Sequence, residues 1–267
     1  MPSFSLLSLN SFGLPFFLGL RRMGILAREL NQREDTVLCL QEIQHDAYLP
    51  ILKKRLTNYP NQCFQPNLLA PMGGLVTASR LPYIHHEFLP FPNRGKWYSI
   101  GVADWALRKG VLLSSLDVDG TQVIVLNTHL HANYSGKWTK GGLLAGIQSD
   151  QVKYLAELAR AQPQDALVVI CGDFNFPRDT FLYEELSEIS GFIDPLKDDP
   201  RPTYRPVSFL ASKWSITLDF IFYRKPDRID MAITADILPI ENSKAINDRS
   251  KFLSDHCALN LTSQWRN

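Results

Sequence analysis

The chain has 267 residues, and its 28 lysines and arginines against 27 aspartates and glutamates give a formal net charge of +1. This near balance removes the simplest sign of a polyanion-binding protein, a strongly basic composition that raises nucleic-acid affinity without regard to sequence. Hydrophobic residues make up 45% and charged residues 21% of the chain, which argues against disorder and fibrous repeats. A length near the upper end for one core, roughly 250 residues, predicts a single domain over residues 1–267.

An apolar stretch near the N-terminus has neither the length of a membrane span nor the layout of a signal peptide. Leu14–Leu20 contains Pro15 and Gly19 and is followed at once by Arg21. A membrane span needs about 20 predominantly apolar residues, and a signal peptide carries its basic region first. We therefore expect neither segment, and we expect a cytoplasmic protein or one in peripheral contact with a membrane.

The first third of the chain alternates predicted strands and helices. Short apolar runs bounded by Gly, Pro, Asn or Asp predict strands, whereas apolar residues at helical spacing predict amphipathic helices. Cys63 is expected in a polar loop of this part of the chain. The predicted elements are strand Phe4–Leu9, helix Arg22–Asn31, strand Thr36–Leu40, helix Ala47–Leu56 and strand Leu75–Ala78.

The rest of the chain adds hairpins to this alternation. Asp119-Gly120 separates two predicted strands and is typical of a tight turn, which predicts an antiparallel hairpin. Mixed sheets follow, and we expect an α+β fold in which two packed β-sheets are flanked by helices, with a doubly wound parallel sheet as the competing arrangement. The predicted elements are strands Gly110–Val118 and Val123–Asn127, helix Gln148–Ala161, and strands Leu167–Cys171, Thr217–Tyr223 and Cys257–Thr262.

Long stretches without a predicted element separate several of these strands. They cover residues 60–72, 90–96, 133–146 and 194–214. Stretches of this length in a compact domain usually carry function. We therefore take them as candidate rims of a site.

Polar side chains that can bind a metal or a phosphate follow or precede many of the predicted strands. Each has a plain structural interpretation when taken alone, as a helix cap, a rim histidine or a solvated charge. Asp219 is different, because it lies among apolar strand residues, where a buried carboxylate costs several kcal/mol unless it is paired. The strand-end residues are, in chain order, Asn10, Glu42, His129, Asp173, Asn175, Asp255 and His256.

Taken together, these residue types predict phosphoester hydrolysis with a hard divalent cation. Glu42 and Asn10 offer the oxygen ligands that Mg²⁺ prefers, and histidines can act as acid and base near neutral pH. The chain has no clustered cysteines, no H-E-x-x-H segment and no G-x-x-x-x-G-K-[ST] loop. This pattern argues against a zinc enzyme or a P-loop nucleotide hydrolase.

Seven short motifs, in this order along almost the whole chain, resemble those of the endonuclease/exonuclease/phosphatase superfamily of Mg²⁺-dependent phosphoesterases. The resemblance implies a DNase I-like sandwich with four layers, α/β/β/α. The motifs are Ser8-Leu9-Asn10, Gln41-Glu42, Gly74-Leu75 to Ser79-Arg80, Asn127-Thr128-His129, Gly172-Asp173-Phe174-Asn175, Leu218-Asp219-Phe220-Ile221 and Ser254-Asp255-His256.

Within that superfamily the chain is most similar to the neutral sphingomyelinases, which are enzymes of the phospholipase C type. Residues 128–134 read T-H-L-H-A-N-Y and resemble their T-H-L-H-A-E-Y segment, with Asn133 in place of glutamate. Asp104-Trp105 followed by Lys109 resembles their D-W-x-x-x-K segment, whose acid and lysine form a switch beside the site. The alternative for Lys109 is a solvated lysine at a strand edge.

The resemblance also implies a metal site. It assigns one Mg²⁺ to Glu42 and Asn10, and it leaves Asp255 to bind the ion directly or through water. Mn²⁺ or Co²⁺ is expected to substitute for Mg²⁺.

The implied catalytic residues complete the prediction. His256 takes a proton from the attacking water while Asp219 orients the imidazole, although the sequence leaves Asp173 open as the base. Asp173 and Asn175 orient the water and the phosphate, and His129 donates to a phosphate oxygen or protonates the leaving group.

The expected function is hydrolysis of sphingomyelin or a related choline phospholipid. A nuclease on the same scaffold is the alternative, and a non-catalytic binding module is a third possibility; no protein partner is expected. Residues 134–144 place Trp138 between two lysines. This segment is expected either to grip a membrane surface or to form a surface loop with one packed tryptophan.

Overall fold

A computed structural model describes residues 1–13, 19–95, 102–205, 215–244 and 252–266. The helices in these ranges are α1 (Gly19–Asn31), α2 (Tyr48–Arg55), α3 (Val102–Leu107), α4 (Leu143–Arg160) and α5 (Phe181–Ser190). The strands are β1 (Ser3–Asn10), β2 (Val37–Gln41), β3 (Asn61–Cys63), β4 (Val76–Ser79), β5 (Tyr83–Pro90), β6 (Gly110–Val118), β7 (Thr121–His129), β8 (Leu167–Asp173), β9 (Asp219–Arg224), β10 (Met231–Leu238) and β11 (Ala258–Trp265).

The strands form two mixed sheets. One has six strands in the order β10-β11-β1-β2-β4-β3, and the other has five in the order β5-β6-β7-β8-β9. The pairs β1–β2 and β7–β8 are parallel, whereas neighbours such as β1–β11 and β8–β9 are antiparallel. The predicted mixture of parallel and antiparallel strands is therefore confirmed.

Three apolar clusters define the layers. The first lies between the sheets and joins side chains such as Val37 and Leu261 to Val125 and Val169. The second packs α1 and α2 against the outer face of the six-stranded sheet, and the third packs α4 and α5 against the outer face of the five-stranded sheet. Burying each apolar face against a neighbouring layer yields the predicted four-layer α/β/β/α sandwich.

Strand register brings the predicted polar residues to one edge of the sandwich. Parallel pairing sets Asn10 opposite Gln41 at the ends of β1 and β2, and it sets His129 opposite Asp173 at the ends of β7 and β8. Antiparallel pairing sets Asp219, the first residue of β9, opposite Asp173. Strand pairing therefore aligns the polar ends within each sheet, although the residues are far apart in sequence.

Every predicted strand and helix overlaps an observed one. The predicted hairpin joins β6 to β7 through Asp119 and Gly120, whose φ angles of 51° and 86° are both positive, as in a tight two-residue turn. The expectation for Cys63 is wrong, because this residue lies in β3 and is buried against Leu75 and Leu112.

The elements missed by the sequence analysis are β3, β5, β10, α3 and α5. β5 is exposed along most of its length, so it lacks the apolar run that identified the other strands. α5 does carry a readable signal, since Leu182, Tyr183 and Leu186 share its buried face and Gly191 ends it with a φ of 69°.

Gly172, directly before Asp173, has a φ of 147°, and a Cβ on it would overlap the backbone carbonyl of Thr128 on the neighbouring strand. We predict that Gly172→Ala lowers the free energy of unfolding by at least about 2 kcal/mol, because the strands must separate or the backbone must shift. Gly146→Ala is the matched control: open space surrounds this position, which lies in α4, and alanine favours a helix by about 1 kcal/mol. Urea unfolding of both variants measures the difference. Equal stability of Gly172→Ala and the parent chain would contradict the close approach.

Candidate active site

A cavity of about 450 Å³ opens at the edge where the polar strand ends meet. Asn10 and Asp219 lie behind its wall, and each is hydrogen-bonded to a residue that lines it. The structure therefore gathers all the predicted site residues at one place. Those lining the cavity are Glu42, Asp104, Lys109, His129, Asp173, Asn175, Asp255 and His256.

His256 is held by a buried carboxylate. Its Nδ1–H donates to Oδ2 of Asp219 at 2.8 Å, and the Thr203 hydroxyl donates to the same oxygen at 2.6 Å. Burial disfavours the charged imidazole, but Asp219, Asp173 and Asp255 outweigh it and raise the pKa of His256 to about 10. Asp219 thus has the partner that a buried carboxylate in a strand requires.

The segment that carries His256 is fastened to the end of β1 and to the residues around Thr203. The Ser254 hydroxyl donates to the carbonyl of Asn10 at 2.6 Å and accepts the backbone N–H of His256 at 3.1 Å. The backbone N–H of Cys257 donates to the carbonyl of Thr203 at 2.7 Å. These bonds fix the backbone that carries the imidazole.

Asp173 lies at the centre of the site. Its Oδ2 accepts the Asn10 side-chain amide at 2.9 Å and lies 4.0 Å from Nε2 of His256, while its Oδ1 accepts the backbone N–H of Asn175. Burial and the nearby Asp219 carboxylate raise the pKa of Asp173 to about 7, despite the opposing effects of His256, Lys109 and Asn10. The neighbouring groups therefore do not fully compensate its negative charge.

Glu42 and Asp255 add two further carboxyl groups. Burial raises the pKa of Asp255 to about 6, with a further upward contribution from the charge of Glu42 and an opposing one from His256. Glu42 also adopts a φ of 58°, and two other residues that line the cavity, Phe12 and Asn175, have φ values of 50° and 56°. Left-handed backbone in non-glycine residues is strained and tends to cluster at functional sites.

His129 and Lys109 supply the other face of the cavity. Burial, followed by the charges of Lys109, His256 and His131, lowers the pKa of His129 well below its usual range, so its ring is neutral. The Lys109 ammonium pairs with Asp104 at 2.9 Å and donates to the carbonyl of Leu130 at 2.7 Å. Lys109 is only 2% exposed, so it is not a solvated lysine at a strand edge.

The donor set suits a hard divalent cation. Among the described residues, ligand atoms of Glu42, His129 and Asp173 lie within 4.8 Å of one another. Asp255 is outside this group, and the side-chain oxygen Oδ1 of Asn10 accepts the backbone N–H of Phe12 at 3.0 Å. Uncompensated carboxylates at this distance are stabilised by a bound cation.

Sequence patterns missed several residues of the site. Thr203 holds Asp219 in place, and the Tyr204 ring lies 5.0 Å from the His256 ring between centroids. Both fall in the stretch 194–214, which had been identified only as a candidate rim. A threonine between a proline and a tyrosine has no spacing that marks it as a partner of an aspartate 16 residues later.

The fold and the cavity agree with the relatives of the chain. A model of the Endonuclease/Exonuclease/phosphatase family matches residues 18–256. The chain belongs to this family, as its motifs had predicted.

Curated relatives include sphingolipid hydrolases. The chain is 27% identical to a predicted neutral sphingomyelinase of Drosophila melanogaster over 96% of its own length and 59% of the relative. It is 31% identical to the inositol phosphosphingolipids phospholipase C of Schizosaccharomyces pombe over 65% of its own length and 41% of the relative. The chain thus spans about half the length of the curated relatives it matches.

Solved structures show the same fold. Staphylococcus aureus beta toxin with bound magnesium ions superposes with a TM-score of 0.73 at 17% identity, covering 98% of this chain and 99% of the toxin. D. rerio TDP2, complexed with a single-strand DNA product, gives a TM-score of 0.73 at 20% identity with the same coverage. At these identities the likeness shows the fold alone, and it confirms the DNase I-like sandwich.

The Asp104–Lys109 pair yields a stability prediction. Burial opposes ionisation of Asp104, but Lys109 outweighs it and lowers the pKa of the carboxyl group. Lys109→Met leaves that carboxylate buried without its main partner, so we expect a loss of about 3–5 kcal/mol in the free energy of unfolding. The double variant Asp104→Asn/Lys109→Met removes both charges and should regain most of the loss. Additive losses in denaturant unfolding would contradict the pairing.

Proposed function

We propose that the chain is a Mg²⁺-dependent phosphodiester hydrolase that acts on sphingomyelin or a related phospholipid. The observation that carries the proposal is the convergence of Glu42, Asp173 and the His256–Asp219 pair on one cavity. The sphingolipid hydrolases among the curated relatives support the lipid substrate. We further propose that residues 1–267 form one catalytic domain, in support of which the first and last strands, β1 and β11, pair with each other.

The proposed metal ligands are Glu42 and Asn10, with Asp255 reaching the ion directly or through water. The side-chain oxygen Oδ1 of Asn10 accepts one backbone N–H and keeps a second lone pair for a cation. A bound Mg²⁺ would polarise the phosphoryl oxygens and offset the charge that develops on the leaving oxygen. Mn²⁺ and Co²⁺ are proposed as substitutes.

His256 is the proposed general base. Its Nδ1 is occupied by Asp219, so Nε2 faces the cavity and can accept a proton from the attacking water. The surrounding carboxylates stabilise the protonated imidazole, so His256 must first lose that proton. A cation that offsets their charge would lower the pKa of His256 and make this loss easier. As the water oxygen bonds to phosphorus, the bond from phosphorus to the alcohol breaks. The proton that His256 took from the water passes through solvent to the leaving alkoxide, so the alcohol departs neutral and the imidazole returns to its starting form.

The remaining side chains position the phosphate. Asp173 and Asn175 are joined by a hydrogen bond and orient the water and the phosphate group. His129, which is neutral, offers a ring N–H to a phosphoryl oxygen without adding charge. Lys109 and the Asn175 amide both donate to the carbonyl of Leu130, so the two lie beside each other in the wall.

A nuclease is the second candidate function. The D. rerio TDP2 neighbour was solved with a single-strand DNA product on the same fold. Against it, the net charge of +1 supplies no general attraction for a polyanion. A non-catalytic binding module is disfavoured by the complete set of acidic, amide and histidine residues.

Among the described residues, no helix is long and apolar enough to cross a bilayer. We propose peripheral membrane contact.

A substrate panel tests the proposed function. The purified chain is incubated with sphingomyelin vesicles, with a lysophospholipid and with plasmid DNA, each with Mg²⁺ or EDTA. We expect release of phosphocholine from sphingomyelin with Mg²⁺ and none with EDTA, because the carboxylates need a cation to bind the phosphate. Nicked DNA with intact lipid would favour the nuclease, and inertness toward every phosphoester would favour a binding module.

The role of His256 predicts a large kinetic effect. His256→Ala should lower kcat by about 10²–10⁴-fold, which is the usual contribution of a general base, while the protein stays folded by circular dichroism. His86→Ala is the matched control, since His86 is exposed on β5. A folded His256→Ala variant with normal turnover would remove this residue from the proposed mechanism.

A further inference from the structure

Trp138, for which the sequence left open a membrane grip or a packed position, belongs to the wall of the cavity. Trp138 is half-buried, its Nε1–H donates to the carbonyl of Asn175 at 3.0 Å, and its ring packs on the core beneath α4 and α5. The flanking Lys137 and Lys140 are exposed. The structure therefore favours the packed tryptophan over the membrane grip.

A loop between β3 and β4, residues 64–71, projects two leucines into solvent. Leu68 is 86% and Leu69 is 75% exposed; among the large apolar side chains of the described residues, only the terminal Met1, at 84%, lies between them. The next residue, Ala70, is buried. Single exposed leucines are ordinary, whereas two adjacent ones at a loop tip mark an interaction surface.

This leucine loop, as we call residues 64–71, is closed by backbone hydrogen bonds. The N–H of Met72 donates to the carbonyl of Gln65 at 2.8 Å across the base of the loop. The N–H of Asp46 donates to the carbonyl of Leu69 at 2.9 Å. The tip is thus held at a fixed place, and little ordering is needed before it binds.

The same bonds connect the loop to the candidate active site. Gln44 and Asp46 lie two and four residues after Glu42 in the chain, and Gln44 lines the cavity. Directly after the loop, the carbonyl of Gly74 accepts the N–H of Ile43 at 2.9 Å. Residues 42–46 therefore carry Glu42 on one side and support the leucines on the other.

The composition of the loop region favours a lipid phase over a charged partner. Residues 61–72, N-Q-C-F-Q-P-N-L-L-A-P-M, include no acidic or basic side chain. A segment without charges enters the acyl region without the desolvation penalty that a charge would bring. Prolines at 66 and 71 flank the tip and restrict its backbone.

We propose that Leu68 and Leu69 insert into the acyl region of a phospholipid bilayer and thereby hold the cavity against the headgroup phosphodiesters. The inference rests on the proposed function, since a lipid substrate gives the membrane contact its purpose. Insertion by apolar side chains predicts binding to zwitterionic vesicles that changes little with salt, because no charge pair is screened.

Vesicle flotation tests the proposal. The 267-residue chain is mixed with vesicles of phosphatidylcholine and sphingomyelin in EDTA, so that the measurement does not depend on turnover. We expect Leu68→Asp/Leu69→Asp to lower the bound fraction at least about tenfold, because two apolar contacts are replaced by charges. Ile84→Asp is the matched control: Ile84 is 62% exposed on β5, at the end of that strand away from the cavity, and should bind within about twofold of the parent chain.

Two outcomes would overturn the proposal: a parent chain that does not float with the vesicles, and a double variant that floats as well as the parent. Binding to a protein partner instead of lipid would give the first outcome. Leu68→Trp provides a second measurement, since brominated phospholipid should quench its added fluorescence; no added quenching would also count against insertion.

A soluble control separates this proposal from the proposed function. The Leu68→Asp/Leu69→Asp variant should cleave a soluble phosphocholine ester at the parent's rate, since the cavity is unchanged. A parent chain that floats but cleaves no phosphoester would contradict the hydrolase and leave the docking surface standing. Loss of soluble-ester cleavage in the folded leucine variant would overturn a role confined to docking.

Discussion

Burial of several neighbouring carboxyl groups at one edge of the sandwich is the constraint on which the rest of the site depends. Glu42, Asp173, Asp219 and Asp255 approach one another there, in surroundings that screen charge less than water does. Asp219 is balanced by His256, but the pKa values of Asp173 and Asp255 remain raised. Such a cluster is stable if the fold holds it in place and its charge is offset, either by protonation or by a nearby positive charge.

Contacts between the two sheets hold the carboxyl cluster in place. β1 and β8 end at the cavity from different sheets, and the amide of Asn10 reaches across to Asp173. Behind them, the side-chain amide of Gln41 donates to the side-chain oxygen of Asn127 at 2.8 Å. This is a second hydrogen bond between the two sheets, just below the site. Apolar packing between the sheets then makes any separation of these groups costly, so the fold resists the repulsion that the site creates.

The sequence predicted the framework and most of the site for a physical reason. Strands of alternate or continuous apolar character are legible in one dimension, and polar residues that end them stand out against that pattern. The polar strand ends suggested one shared edge, and the resemblance to a known family assigned Asn10, Glu42 and Asp173 their roles there.

What the sequence did not predict depends on tertiary contacts. The bond from Thr203 to Asp219 and the inward orientation of Trp138 arise only when distant segments pack. Leu68 and Leu69 read as ordinary apolar residues, because exposure is set by the loop bonds and not by composition. Edge strand β5 was not predicted because most of its side chains face solvent, so its sequence shows no apolar periodicity.

A crystal grown with Mn²⁺ tests the central claim most directly, because the metal is located by anomalous scattering without any assay of activity. The account predicts an anomalous peak in the cavity within bonding distance of Glu42. A peak confined to other acidic surfaces, with Glu42 and Asp173 unliganded, would contradict it.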